Sequence, residues 1–416
     1  MSRDRPPQPG PATWTGVPPG SPFGPQALPY GVFSTPGGAA RVGVRLGDQV
    51  LDVAPLASAD GLEGSELLAE PLLNPLMAAG RRRWDALRAW VFDVVTASGR
   101  RSGAAERHLL PLDEVTLHLP VAVADYVDFY SSEHHAVNVG RIFRPGSDPL
   151  PPQWKHLPVG YHGRAGTVVA SGTDVRRPCG QRREPGATTP AFGPSTRLDV
   201  EAEVGFVVGT PTSPGERVPV GSAREHLFGV CLVNDWSARD LQAWEYVPLG
   251  PFLAKSFATS LSHWVLPLAA LDHARVAPPP RTTALLDHLA DDPDDPWGLD
   301  LEIEVRWNGT TVSRPPARSL YWTAAQQLAH LTSNGAALRT GDLFASGTVS
   351  GPRRNQCGSF LELSENGVQP VLLDDGTERT FLEDGDEVVL TATAPGPDGS
   401  RVGLGEVCGR VLPASA

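Results

Sequence analysis

Residues 301–309 read Leu-Glu-Ile-Glu-Val-Arg-Trp-Asn-Gly, and their pattern indicates the fold class. Its apolar residues occupy every second position, as in a β-strand with one buried face: Leu301, Ile303, Val305 and Trp307. Asn308-Gly309 then supplies the two-residue turn of a β-hairpin, and Asp375-Gly376 repeats that signal further along the chain. We therefore expect a fold in which strands joined by tight turns dominate.

The composition points to the same fold class. The 416 residues include 42 prolines and 44 glycines, which favours many turns and short strands and disfavours an all-helical fold. Some helices are still expected, because Thr323 and Gln326 form a capping box and Gly335 follows as a stop signal. The fold is therefore predicted to be mainly β, within the α+β class.

The chain divides into two unequal parts. The first part contains a hairpin that turns at Gly47-Asp48 and a helix that Asn74-Pro75 is expected to cap and start. An edge strand within 111–120, which has a proline at each end, leads out of this part. We predict a small N-terminal domain at 1–118, with a Pro-rich extension and a closing helix, and a main domain at 119–416.

The charge balance restricts the partners. The chain has 35 basic and 47 acidic residues and a net charge of -12, which disfavours nucleic acids and anionic membranes and leaves small molecules. The N-terminus lacks the apolar core of a secretory signal, and no apolar run reaches membrane-spanning length, so we expect a cytoplasmic protein. The four cysteines lie far apart, which predicts neither a disulfide scaffold nor a zinc site.

An acidic pair suggests a metal site. Glu201 and Glu203 lie two residues apart in a strand-like segment, so their carboxylates project from the same face. Two like charges side by side are costly unless a cation lies between them. Glu302 and Glu304 have the same spacing beside apolar residues that point inward, so a solvated strand face explains the spacing equally well.

Two further acids strengthen the metal hypothesis. Asp128 and Asp235 are each expected at the end of a strand, although Asp235 could also be an ordinary acid at a helix start. Four carboxylates without paired His or Cys ligands are typical of a hard cation, Mg²⁺ or Ca²⁺, rather than of zinc.

A cationic group of residues follows Asp235. Ser237 is expected to cap a helix on which Arg239, Gln242 and Tyr246 share one face that could bind a polyoxygenated acid. An ordinary amphipathic helix with a polar outer face is the alternative. Lys255 follows an almost entirely apolar stretch, so its ammonium either serves a pocket or extends to water.

Candidates for proton transfer are present as well. His134 and His135 offer a general base, and Glu362 could orient an imidazole, although an exposed strand position would explain Glu362 equally well. The chain has no dinucleotide fingerprint, nucleophile elbow or Walker loop, so no cofactor beyond a metal is indicated.

Several longer runs carry a specific resemblance. They are Asp-Phe-Tyr-Ser-Ser (128–132), Leu-Pro-Val-Gly-Tyr-His-Gly-Arg (157–164), Asn-Asp-Trp-Ser-Ala-Arg-Asp (234–240), Glu-Tyr-Val-Pro-Leu-Gly-Pro-Phe-Leu-Ala-Lys-Ser-Phe (245–257) and Ala-Ser-Gly-Thr-Val-Ser-Gly (345–351). With these runs the chain closely resembles the fumarylacetoacetate hydrolase family, and the resemblance extends from Leu28 to Pro413. It implies a small SH3-like N-terminal barrel, a mixed β-roll main domain and a homodimer.

The resemblance also implies an activity and a set of roles. The activity is hydrolysis of the carbon–carbon bond of 4-fumarylacetoacetate to fumarate and acetoacetate, the last step of tyrosine and phenylalanine breakdown. By matching positions, the implied roles are Ca²⁺ ligands at Asp128, Glu201, Glu203 and Asp235; a base at His135 supported by Glu362; substrate contacts at Tyr130, Arg144, Tyr161, Gln242, Tyr246 and Thr348; and a second, Mg²⁺-type site around Asp235, Lys255 and Thr259.

A mechanism and its rivals follow from these assignments. Arg239, Gln242 and Lys255 are expected to stabilise the oxyanion that forms when water attacks the substrate. The rival enzymes are an acylpyruvate hydrolase and a keto-acid decarboxylase on the same scaffold. The non-enzymatic rival is a β-rich binding protein whose acids hold a structural calcium ion.

Overall fold

The computed structural model describes residues 14–96, 100–184 and 186–415, with the backbone alone described for 100–102. Residues 1–13 of the predicted Pro-rich extension lie outside these ranges. The α-helices are α1 (Val53–Ala59), α2 (Asn74–Ala78), α3 (Arg81–Thr96), α4 (Arg100–Glu106), α5 (Glu133–Phe143), α6 (Ala223–His226), α7 (Arg239–Glu245), α8 (Ala324–Thr332) and α9 (Phe360–Leu363). The strands are β1 (Tyr30–Ser34), β2 (Arg41–Leu46), β3 (Gln49–Asp52), β4 (Leu109–Pro111), β5 (Thr116–His118), β6 (Tyr126–Phe129), β7 (Gly160–His162), β8 (Val168–Ala170), β9 (Val175–Arg176), β10 (Cys179–Arg182), β11 (Ala191–Pro194), β12 (Leu198–Asp199), β13 (Ala202–Val208), β14 (Leu227–Asp235), β15 (Ser237–Ala238), β16 (Thr259–Leu261), β17 (Trp264–Pro267), β18 (Arg275–Val276), β19 (Gly298–Leu299), β20 (Glu302–Trp307), β21 (Thr310–Ser313), β22 (Leu343–Ala345), β23 (Val371–Leu372), β24 (Glu378–Arg379), β25 (Glu387–Pro395) and β26 (Arg401–Leu412).

The stretch at 301–309 forms the hairpin that its sequence predicts. In β20 the side chains of Ile303, Val305 and Trp307 are buried, while Glu302 is exposed. Asn308 and Gly309 both adopt positive φ, 48° and 84°, as a two-residue hairpin turn requires, and the chain continues into β21. The predicted mainly β, α+β fold class is confirmed.

A large mixed sheet forms the centre of the molecule. Its strands lie in the order β4-β3-β2-β1-β17-β14-β13-β22-β6-β7, and a second sheet has the order β21-β20-β25-β26-β9. The N-terminal strands join the central sheet directly, because Tyr30 of β1 pairs with Val265 of β17. Within the described residues, β1 also pairs with β5, but no pairing between β4 and β5 closes the predicted SH3-like barrel.

The N-terminal region also differs from the prediction at the start of its helix. The hairpin at Gly47 and the helical burial of Trp84 and Val91 are as expected. The cap at Asn74 is wrong, because this residue begins only the short α2 and its side chain bonds the backbone of Ala122 instead. The long helix α3 starts separately at Arg81.

The N-terminal region packs on the central sheet through a shared hydrophobic core. The indole of Trp84 meets the ring of Phe228 edge-on at 5.3 Å, and Cys231 and Val233 of β14 belong to the same buried cluster. All four cysteines are free. Among the described residues, no helix is long and apolar enough to cross a bilayer.

The sheet order brings the acids of β6, β13 and β14 to one end of the sheet. Since β13 and β14 are antiparallel, with Glu203 opposite Val233, the start of β13 lies beside the end of β14 at Asp235. On the other side of β13, β22 is antiparallel to it and β6 is parallel to β22, so Asp128 pairs with Ala345 at the same end. The fold therefore places three acidic segments that are distant in the chain next to one another.

Candidate active site

Four carboxylates meet at this end of the central sheet. One oxygen from each of Asp128, Glu201, Glu203 and Asp235 can be chosen so that all lie within 4.8 Å of one another. All four residues are buried, and Glu203 is completely inaccessible. The prediction that Glu201 and Glu203 project from the same face is confirmed. In contrast, Glu302 is exposed, and Glu304 forms ion pairs with surface arginines.

The oxygens of this cluster fit a hard cation. Both carboxylate oxygens of Glu203 and Oδ1 of Asp128 are buried without a hydrogen-bond partner among the described residues. Burial, followed by the neighbouring carboxylates, raises the pKa of Asp128 and of Glu203 well above the ordinary range of carboxyl groups. Oxygen donors alone, with this much uncompensated negative charge, are the ligand set that Ca²⁺ or Mg²⁺ prefers.

Chelation should therefore destabilise the protein more at higher pH. Because the pKa of Asp128 and Glu203 is raised in the cation-free fold, that fold holds more protons than the unfolded chain above the ordinary carboxyl pKa of about 4. Its free energy of unfolding then falls as the pH rises from that value. We expect the difference in Tm between Ca²⁺-loaded and chelated protein, measured by calorimetry, to widen from about pH 5 to about pH 8. A difference that stays constant over this window would contradict the raised pKa values.

Lys255 balances part of this charge. Its Nζ donates to Oε2 of Glu201 and Oδ2 of Asp235, both at 2.6 Å, and Thr259 donates to Oδ1 of Asp235 at 2.9 Å. Burial alone would lower the pKa of Lys255, but Asp235 and Glu201 outweigh it, so the pKa lies above the ordinary value. A protonated ammonium has no lone pair, so this side chain neutralises carboxylates rather than ligating a cation. Lys255 as a whole residue is only 6% exposed, so the alternative that its ammonium extends to water is wrong.

Arg239 connects the carboxylates to the helix α7. Its Nε donates to Asp199 at 2.7 Å, and its Nη1 contacts Oε1 of Glu201 at 2.6 Å and Oε1 of Gln242 at 3.0 Å. Its Nη2 is buried and has no partner among the described residues. The two N–H groups of Nη2 are therefore available to a ligand.

Asp199 is a site residue that sequence reasoning missed. Besides Arg239, it accepts hydrogen bonds from the backbone N–H groups of Phe360 and Leu361, at the start of α9. It thereby ties the guanidinium to the helix that carries Glu362. The signal was present, because Asp199 lies two residues before Glu201 and extends the alternating acidic pattern.

Replacing Arg239 with Ala should cost both stability and activity. The variant leaves Asp199 buried without a cationic partner and Glu201 with Lys255 alone, and an unpaired buried charge of this kind typically costs about 3–5 kcal/mol. Losing one oxyanion donor typically costs about a hundredfold or more in kcat. Chemical denaturation and steady-state kinetics at a temperature where the variant stays folded measure the two effects. Arg306→Ala, which breaks an exposed pair with Glu304, should change neither by much, and near-normal turnover of Arg239→Ala would contradict the assignment.

The predicted cap of α7 is wrong. Ser237 lies in β15 opposite Asp199, and its hydroxyl donates to the backbone carbonyl of Asp235, so Ala238 precedes the helix without a side-chain cap. Arg239 and Gln242 do share a face and bond each other. Tyr246 follows the last turn, with its ring 6.0 Å from that of Phe143.

A histidine–carboxylate pair lies beside the acidic cluster. The Nδ1 atom of His135, in the first turn of α5, is 2.7 Å from Oε2 of Glu362. His134 is half-buried on the same helix and has no such contact among the described residues. Glu362 is buried in the helix α9, so its alternative interpretation as an exposed strand residue is wrong.

Glu362 is held as a carboxylate. It accepts hydrogen bonds from Asn138, Ser350 and Ser359, at 2.9, 2.9 and 2.8 Å, none of which the sequence singled out. Burial alone would raise the pKa of Glu362, but the interaction with His135 and the hydrogen bonds from Asn138 and Ser359 outweigh it, so the pKa lies below the ordinary value. A charged Glu362 fixes the orientation of the His135 ring and leaves Nε2 available for proton transfer.

The remaining predicted residues surround these groups. The ring of Tyr130 meets that of His135 edge-on at 5.4 Å, and Arg144 ends α5 with its Nη2 donating to the carbonyl of Pro149 at 2.8 Å. The hydroxyl of Tyr161 donates to Asp235 at 3.3 Å. Thr348 is buried, and its hydroxyl has no partner among the described residues.

Comparisons with known proteins agree with this arrangement. Residues 125–412 match the family profile described as fumarylacetoacetate (FAA) hydrolase C-terminal, and residues 26–120 match the profile described as fumarylacetoacetase N-terminal. The chain is 47% identical over 424 residues to a fumarylacetoacetase from Caenorhabditis elegans, covering 97% of this chain and 99% of that protein. It is 45% identical over 402 residues to one from Bos taurus, covering 93% and 95%.

Solved structures show the same fold at much lower identity. The fumarylacetoacetate hydrolase from psychrophilic Exiguobacterium antarcticum superimposes with a TM-score of 0.54 at 18% identity, over 93% of this chain and 99% of that one. The family assignment rests on two profiles that together cover most of the chain. It also rests on relatives of nearly equal length that are more than 40% identical. The chain belongs to the fumarylacetoacetate hydrolase family.

Proposed function

We propose that this protein hydrolyses the carbon–carbon bond of 4-fumarylacetoacetate to give fumarate and acetoacetate, the final step of tyrosine and phenylalanine breakdown. Relatives that carry the name fumarylacetoacetase match nearly the whole chain. The observation that carries the proposal is a group of buried polar atoms beside the pair of His135 and Glu362 that have no partner in the described part of the chain; they belong to Asp128, Glu203, Arg239 and Thr348. Such atoms are costly unless a ligand satisfies them.

The cation is the first component of the proposed centre. Asp128, Glu201, Glu203 and Asp235 would hold Ca²⁺, and a second, Mg²⁺-type site would lie around Asp235, Lys255 and Thr259. When bound, the cation offsets the buried negative charge and polarises the oxygens of the diketo group. The unpartnered oxygens of Glu203 support the first site.

His135 is proposed as the general base. With Nδ1 bonded to Glu362, its Nε2 takes a proton from the water that attacks the carbonyl beside the fumaryl arm. The resulting imidazolium is stabilised by the Glu362 carboxylate, whose lowered pKa keeps it charged. The same proton can then be returned to the acetoacetate carbanion after the bond breaks.

Three donors are proposed to stabilise the oxyanion. Arg239 contributes its free Nη2, Lys255 contributes the N–H that is not bonded to Glu201 or Asp235, and Gln242 contributes its amide. Collapse of the oxyanion breaks the carbon–carbon bond and leaves the electron pair on the acetoacetate carbon, delocalised into the remaining carbonyl. The buried position of Arg239 and Lys255 makes these donors more effective than in water.

The other residues are proposed to hold the substrate. They are Tyr130, Arg144, Tyr161, Gln242, Tyr246 and Thr348. Tyr130 supports this through its contact with the His135 ring, and Thr348 supports it through its unpartnered hydroxyl. Assembly as a homodimer, a cytoplasmic location and a domain boundary at 118/119 also stay predictions; sedimentation measurements test the first.

Product analysis tests the proposed reaction. Purified protein supplied with fumarylacetoacetate should release equal amounts of fumarate and acetoacetate, measured by chromatography. Preferential release of pyruvate from an acylpyruvate, or of carbon dioxide from a keto acid, would assign the site to one of the rival enzymes instead. If no diketo or keto acid is consumed, the acidic cluster is a structural cation site.

A further inference from the structure

A cavity opens beside Asp235 of the acidic cluster. Its volume is about 170 Å³, and it is lined by Tyr126, Tyr161, Arg164, Asp235, Phe252 and Lys255, among others. A cavity of about 150 Å³ can hold a benzene molecule, so this one has room for about six non-hydrogen atoms. One four-carbon acid arm of a substrate has that size.

The inner end of the cavity offers hydrogen-bond donors. The hydroxyl of Tyr126 is buried and has no partner among the described residues, although β6 places it on the same face of the sheet as Asp128. A phenol is a hydrogen-bond donor at neutral pH. It can therefore donate to a ligand oxygen.

The outer end of the cavity carries a free cation. Arg164 lines the cavity and is exposed to solvent. Its guanidinium forms no ion pair with any residue that the structure describes. Most other arginines that line clefts in this chain are paired, as Arg81 is with Glu225 and Arg281 is with Asp291. An unpaired guanidinium at the mouth of a cavity suits a carboxylate, which it can bind through two parallel hydrogen bonds.

The charges of the proposed substrate require such a group. Fumarylacetoacetate carries a carboxylate at each end, so a cation at each end would suit it. Arg144 lies near Tyr130, whose ring contacts that of His135. Arg164 instead lines the cavity beside Asp235 and Lys255, and the charge of Lys255 is already engaged by Glu201 and Asp235.

We propose that Arg164 binds the second carboxylate of the diketo diacid, with the hydroxyl of Tyr126 donating to the same arm, and that this contact selects diacids over monoacids. The inference rests on the function proposed above and adds a specificity-determining residue to it. Arg164 contacts the substrate in its ground state and in its transition state alike, so it acts on KM more than on kcat.

Kinetics with matched analogues test this role. We expect Arg164→Gln to raise KM for fumarylacetoacetate by about tenfold or more, the usual effect of losing a charged hydrogen bond, with kcat changed by less than about twofold. Arg107→Gln removes another exposed arginine, distant in the N-terminal region, and serves as the control for net charge. Tyr126→Phe should raise KM in the same direction.

The two monoamides of the substrate, each lacking one carboxylate, make the test specific. We expect Arg164→Gln to leave KM unchanged for the monoamide that lacks the carboxylate it binds, and to raise KM for the other as it does for the diacid. An equal effect on both monoamides, or an unchanged KM for the diacid, overturns this inference. The proposed function still stands in that case if the unaltered protein turns over the diacid normally. If the unaltered protein does not hydrolyse the diacid, the proposed function falls and the inference falls with it.

Discussion

Replacing His135 with Gln is expected to lower kcat for fumarylacetoacetate by about a hundredfold to ten-thousandfold, the usual contribution of a general base. Gln fills a similar volume and can still donate to Glu362, so the fold should be retained while the proton acceptor is lost. KM should change much less than kcat, because the imidazole acts on water rather than on the bound substrate. Steady-state kinetics on variants with matched circular dichroism spectra measure both quantities.

The neighbouring histidine provides the control for this prediction. His134 lies on the same helix but is half-buried and has no contact with Glu362 among the described residues. His134→Gln should therefore retain nearly full kcat. Glu362→Gln should lose activity in the same direction as His135→Gln, since it removes the charge that stabilises the imidazolium. Equal losses in the two histidine variants would contradict the role of His135.

Replacing Glu203 with Gln is expected to abolish high-affinity cation binding and, with it, most of the hydrolysis. Both oxygens of Glu203 are buried and have no partner among the residues that the structure describes, and Gln supplies only one weaker, uncharged oxygen at that position. The fold should tolerate the change, because the variant removes one of four crowded carboxylates. Isothermal titration with Ca²⁺ and activity assays at saturating Ca²⁺ measure the two effects.

The chain supplies a matched control in Glu302→Gln. Glu302 and Glu304 have the same spacing as Glu201 and Glu203, but Glu302 is exposed on β20. This variant should bind Ca²⁺ and turn over substrate normally. If Glu203→Gln loses the cation but keeps full hydrolysis, the cation is structural and has no part in the reaction.

These two glutamate pairs also show what the sequence could predict. Around Glu302 the apolar residues alternate with polar ones, which indicates a strand with one solvent-exposed face. The alternating burial of β20 agrees with this. After Glu203 the run from Val204 to Val208 is continuously apolar, which is typical of a strand covered on both faces, and every residue of β13 is buried. The spacing of the acids could not separate the pairs, but the pattern of their neighbours could.

Other features depend on contacts between distant segments. His135 lies 227 positions from Glu362, so apart from the family resemblance only the packing of α5 against α9 distinguishes it from His134. Ser237 has a good helix-capping sequence, but its pairing with Asp199 in a short two-stranded sheet places it outside the helix. The N-terminal strands carry the expected hairpin, but the pairing of β1 with β17, far along the chain, made them part of the central sheet.

Hydrolysis is proposed to require a cation-loaded centre, and one assay tests this requirement most directly. Fumarylacetoacetate hydrolysis is followed in protein depleted with a chelator and then reloaded with increasing Ca²⁺. We expect turnover to be low after depletion and to rise with Ca²⁺ until the cation that binds at Asp128, Glu201, Glu203 and Asp235 is saturating. Full hydrolysis by protein that is verified to be free of divalent cations would contradict the account.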